Sequence, residues 1–179
     1  MLGLKLFLVV FLILQTSTLN LEIGEVVSKT DIEEFSTQSL ILHGGDLKPS
    51  IEKKISGVTY RIAYEPENNT IIQINCNDPN FVTTDGVRQG SYIEATKRQI
   101  LVTKSSNILG PETKDGWRTD LGTDFEIVVL KKGSEERIIL RDDESGSWSM
   151  RTARKQINKL FAANKTIRVR VERFSKIKE

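Results

Sequence analysis

The chain carries one histidine, His43, and one cysteine, Cys76, so most metal and nucleophile chemistry is limited from the outset. Zinc sites draw on several His, Cys or acidic ligands at workable spacing. No second His or Cys exists to complete such a set, and neither a metal nor a cofactor is expected. His43 stands beside Gly44 and Gly45 and reads as a solvated loop residue. Cys76 closes TIIQINC, where alternation places Ile72, Ile74 and Cys76 on one strand face. A buried thiol is the expectation, and a reactive thiol or an intermolecular bridge is the alternative. Ser50 and Lys53 have the S-x-x-K spacing of penicillin-recognising serine enzymes, but the S-D-N and K-T-G partners are missing. G-x-S-x-G is also absent.

Carboxylates offer a second route to chemistry. Asp142, Asp143 and Glu144 are adjacent, while Asp115, Asp120 and Asp124 fall in one stretch read as a loop. Two convergent carboxylates can cleave glycosides, and hard cations such as calcium take oxygen ligands. The EF-hand spacing is absent, so 115–124 reads as a solvated loop. The acids at 142–144 precede a predicted helix, where they favour its dipole, with Ser147 or Ser149 as the cap.

The stretch GVRQGSYIEATKRQI, 86–100, raises the possibility of phosphate binding. It lacks the Lys of a P-loop, and the dinucleotide pattern G-x-G-x-x-G is also missing. Asp85-Gly86 reads as a turn, and Ser91-x-x-Glu94 has the spacing of a capping box, which predicts a helix over 92–102.

Charge is the most uneven property. Residues 151–179 hold ten Lys and Arg against two acids, a local +8 in a chain of net +2, which leaves 1–150 at −6. Arg151, Lys155 and Lys159 recur every four residues on a predicted helix, with Arg154 on the same element. Arg168 and Arg170 lie on the polar face of a predicted strand. These six residues form the candidate site for an anionic partner: lipid headgroups, a polysaccharide or an acidic protein. The alternative is neutralisation by acids within the fold. Nucleic acid is not expected, because no recognition motif is present and the chain reads as exported.

These residues must be positioned by surrounding elements. Val58, Tyr60, Ile62 and Tyr64 alternate with polar or small residues and predict a strand that forms a hairpin with 70–76. Two further strands, 125–130 and 136–141, flank the turn KKGSE, and a last strand covers 166–174. Helices are predicted over 92–102 and 150–163, and Thr30-x-x-Glu33 marks a short one. The expected architecture is α+β: one domain over 19–179, an antiparallel sheet with two or three helices packed on one face.

Ahead of this domain, Lys5, an apolar run at 6–14 and the small polar residues Thr16, Ser17 and Thr18 match a secretory signal over 1–18. A buried N-terminal helix is the alternative. The run is far shorter than the ~20 residues of a membrane span, so no span is expected after signal removal. A chain with a single thiol has no internal disulfide. Asn68-Asn69-Thr70 and Asn164-Lys165-Thr166 are sequons that matter only in a eukaryotic secretory pathway.

The segment NDPNFVTTDGVRQGSYIEA followed by LGPETKDGW resembles small exported bacterial domains, the SmpA/OmlA outer-membrane lipoproteins and β-lactamase-inhibitor-like modules. In that layout a glycine and a capped helix precede a Gly-Pro break and a run of strands. The resemblance implies a non-enzymatic envelope or secreted protein and assigns no residue a role. The function expected is therefore binding or structural, through the basic C-terminal face. The alternative is a small secreted hydrolase whose carboxylates converge only in the fold.

Overall fold

The computed structural model describes residues 21–38, 40–43, 46–103, 107–123, 126–140 and 149–178. The signal segment, Asp124 and the acids at 142–144 lie outside these residues, as does the His43 side chain.

Chain order begins with α1 (Lys29–Phe35), β1 (Ile41–His43), β2 (Asp46–Lys48), β3 (Ser50–Ile55), β4 (Val58–Tyr64) and β5 (Ile71–Cys76). It continues with β6 (Tyr92–Thr96), a 3-10 turn at Lys97–Gln99, β7 (Leu101–Val102), β8 (Ile108–Glu112), β9 (Arg118–Asp120) and β10 (Gly122–Thr123). It closes with β11 (Glu126–Lys131), β12 (Ser134–Ile139), α2 (Met150–Leu160), β13 (Thr166–Arg170) and β14 (Arg173–Ile177).

The strands form two antiparallel sheets and a small hairpin. The larger sheet runs β3-β4-β5-β14-β9-β8-β7. The smaller runs β10-β11-β13-β6, with β12 on the other edge of β11. Among the described residues β1 pairs only with β2. Two hairpins close by one device. Ser56 and Gly57 (φ 50° and 87°) join β3 to β4, and Lys132 and Gly133 (φ 51° and 84°) join β11 to β12. Two successive left-handed residues make the type I′ turn, whose twist matches that of paired strands.

The fold is β-rich, which corrects the α+β expectation. The two helices among the described residues have 7 and 11 residues and serve different cores rather than one sheet face. Ile32 and Phe35 of α1 pack on a core that contains Tyr60, Phe81, Trp117 and Phe174. Ala153 and Ile157 of α2 pack on a second core with Ala95, Ile127, Val129 and Val169. Ser28, not Thr30, caps α1, its hydroxyl accepting from the Asp31 amide at 3.0 Å.

The predicted helix over 92–102 is not formed. Residues 92–96 are a strand, five of whose residues pair in register with β13. Ile93 and Ala95 turn to the second core, and Glu94 stays exposed. That is a period of two, which the capping-box spacing obscured. The Ser91 hydroxyl accepts from the Arg88 amide at 3.1 Å and so closes a turn instead of capping a helix.

The stretch 115–124, expected to be a solvated loop, contains β9 and β10, and β8 runs through the expected Gly-Pro break just before it. Pro111 is tolerated inside β8 because the register shifts between Leu109 and Glu112, where no ladder amide is required of it. The expected strand at 166–174 is two strands. Val171 and Glu172 carry the chain from the smaller sheet into the larger one.

Candidate functional site

α2 forms where its pattern predicts. The Ser149 hydroxyl caps it by accepting from the Thr152 amide at 3.0 Å. Ala153 and Ile157 are buried, with Met150 and Leu160 packed beside them. Arg151, Arg154, Lys155 and Lys159 all point away from that core and are exposed. None of the four makes an ion pair among the described residues.

The remaining cations of the C-terminal region divide sharply. Arg168 is exposed and unpaired among the described residues. Arg170 is not free: it bridges Glu172 at 2.8 Å and Glu135 at 3.6 Å, and Glu135 also accepts from the Tyr92 hydroxyl. The hydrogen bond to Glu172 holds the Arg170 guanidinium more firmly charged than usual. Arg173 Nε binds Asp120 at 2.6 Å. Lys176 reaches Glu22 at 3.2 Å and lies over the Trp117 ring at 5.2 Å from its centroid. Neutralisation within the fold therefore accounts for Arg170, Arg173 and Lys176, and leaves the α2 cations and Arg168 to solvent.

The structure also gathers cations that the sequence reading passed over. Lys131 and Lys132 end β11 and enter its turn, beside the start of β13, because Leu130 pairs with Arg168. A groove of about 530 Å³ opens there, between the last turn of α2 and the ends of β11 and β13. Val129, Leu160 and Ile167 form its apolar part, and Lys131, Lys132, Lys159 and Arg168 contribute its charge. The doublet Lys131-Lys132 before Gly133 was visible as a turn, but nothing in its spacing tied it to α2. A second groove of about 270 Å³ lies on the other flank of α2 and includes Lys97 and Arg154. The six predicted residues are thus not one patch. Arg151 and Lys155 line neither groove, Lys159 and Arg168 meet at one, Arg154 faces the other, and Arg170 is occupied.

Neither groove is lined by a carboxylate. Among the described residues no three His, Cys, Asp or Glu side chains come together as a metal site. Asp115 instead accepts from the Thr113 hydroxyl and the Thr84 amide, at 2.7 and 3.1 Å. Asp120 is fully buried on β9, and burial raises its pKa above the usual carboxylate value despite the Arg173 guanidinium. Cys76 is buried as expected, and burial pushes its thiol up to about 11. Its predicted neighbours are rearranged. Tyr64 pairs with Ile71 while Ala63 pairs with Gln73, so Ile72 bulges out to join Ile41 and Ala63 on the opposite face. No helix among the described residues is long and apolar enough to cross a membrane.

No known protein family, curated protein or solved structure matches the chain. The layout shared with the SmpA/OmlA and β-lactamase-inhibitor-like domains required a capped helix after Gly90, and β6 stands in its place.

Proposed function

We propose that this chain is an exported, non-enzymatic binding protein whose basic C-terminal face holds an anionic lipid or polysaccharide surface. The observation that carries the reading is the unpaired state of Arg151, Arg154, Lys155 and Lys159 among the described residues. Arg170, Arg173 and Lys176 of the same region have acidic partners at 2.6 to 3.6 Å. The fold has acids to spend on neutralisation and leaves this helix without them. Three cations at four-residue spacing make a row along one helix face. Such a row attracts polyanions over roughly a Debye length, ~10 Å at 0.1 M salt, and loses hold as salt rises.

The test is retention of residues 19–179 on heparin and co-sedimentation with phosphatidylglycerol vesicles, at rising ionic strength. Retention at low salt is expected, and reversal of Arg151, Lys155 and Lys159 to Glu should abolish it. Absence of retention at low ionic strength, or retention indifferent to the triple reversal, would overturn the proposal. Export is tested separately, by whether the chain synthesised with its first 18 residues is recovered processed outside the cytosol.

A further inference from the structure

We infer that the larger groove beside α2 is a discrete site for one single-chain anionic phospholipid, with the acyl chain on its apolar part and the phosphate among its cations. The inference rests on the surface-binding reading above and gives it a specific ligand. Val129, Leu160 and Ile167 belong to the second core, yet Leu160 and Ile167 are only half-buried, so the apolar surface of that core continues into the groove. An acyl chain would remove this surface from water. A polysaccharide would not, because its repeating charge has no use for an apolar bed.

The headgroup is argued from charge. Lys132, Lys159 and Arg168 are exposed, border the groove and have no ionic partner among the described residues. Lys131 is held only by Glu136, an exposed pair at 3.3 Å. Lys and Arg donors of this number suit a phosphate, which presents several acceptor oxygens around one centre. The end of a helix would ordinarily oppose an anion. Here the Ile157 and Lys159 carbonyls are taken up by the Phe161 and Ala162 amides. A volume of about 530 Å³ lies within the range of small-molecule sites.

The experiment is calorimetric titration of the chain 19–179 with a lysophosphatidylglycerol below its micelle concentration. Lysophosphatidylcholine and glycerol phosphate serve as the neutral-headgroup and chainless controls. Saturable 1:1 binding is expected, at least about tenfold tighter than for lysophosphatidylcholine, with none detected for glycerol phosphate. Two variants keep the fold in view. Lys132→Asn with Lys159→Gln removes charge and is expected to weaken binding about tenfold. Ala163→Trp, at an exposed lining residue, is expected to obstruct the chain while heparin retention and melting temperature stay unchanged. Heparin retention without 1:1 lysolipid binding overturns this inference and leaves the surface reading standing. Loss of both overturns both. Equal affinity for lysophosphatidylcholine, or indifference to Ala163→Trp, also overturns it.

Discussion

Cys76 is the one thiol of the chain, and its surroundings disarm it. It is 1% exposed, and its thiol donates to the Thr59 carbonyl at 3.7 Å. A thiol raised from 9.0 to about 11 by burial remains protonated at neutral pH. A chromogenic disulfide reagent should therefore react with native protein only at the unfolding rate, and at once in denaturant. The same shift has a signed effect on stability. The unfolded thiol ionises first as pH rises, so its contribution is intact below pH 9 and is lost as pH passes through about 11. Urea midpoints across that interval should fall more steeply for the native chain than for Cys76→Ala; parallel curves would refute the assignment. Asp120 makes the complementary case. It is fully buried against an Arg173 side chain that keeps 34% of its surface exposed. Arg173→Ala strands a buried carboxylate and should cost about 3 kcal/mol, the lower end for a broken buried pair. Burial of Cys76 was legible from alternation in TIIQINC. The Asp120 pair was not, since 53 residues separate its members and nothing local marks them.

The elements differ in how much of themselves they declare. β4 and α2 were legible because a long period, two or 3.6, repeats over a whole element. β6 was not, because a five-residue strand carries too few repeats to outweigh a capping-box spacing; its pairing with β13 decides the matter. β8 was hidden by Gly110-Pro111, which reads as a break and is a bulged strand. Gly110 is required there by closeness: a Cβ would come within 2.6 Å of Thr119 Oγ1 and 2.8 Å of Leu121 Cδ1, both buried side chains. Gly110→Ala should then cost about 1–3 kcal/mol through overpacking, measured by urea unfolding. The two serines once read alike now separate. Ser149→Ala removes a true helix cap and should cost about 1 kcal/mol. Ser91→Ala removes one exposed turn hydrogen bond and should cost less. Equal losses would mean that the turn at Ser91 matters more than its exposure indicates. Of the candidate site, the α2 stripe was legible in full, whereas the Lys131-Lys132 side of the groove depended on strand pairing that no spacing encodes.

At the scale of the whole molecule, charge separation is partly undone by folding. Contacts such as Arg173–Asp120 and Lys176–Glu22 span 53 and 154 residues and return the basic end to the acidic body. Of the basic end, the four cations of α2 and Arg168 in the nearby groove stay unmatched among the described residues. The two sheets are joined through Val171 and Glu172, whose amides bond back to Ser91 and Asp120 at 2.9 and 2.8 Å. Both ends of that link are therefore fixed, and one cooperative transition is expected by fluorescence and circular dichroism alike. Non-coincident curves would show that each sheet melts on its own. The topology also sets a schedule. β14 is the last strand in chain order, yet it lies between β5 and β9 in the middle of the larger sheet. The β3-β4-β5 and β9-β8-β7 halves cannot meet until residue 177 has left the ribosome, so during synthesis the nascent chain stays open and available to whatever machinery intercepts unfinished polypeptides.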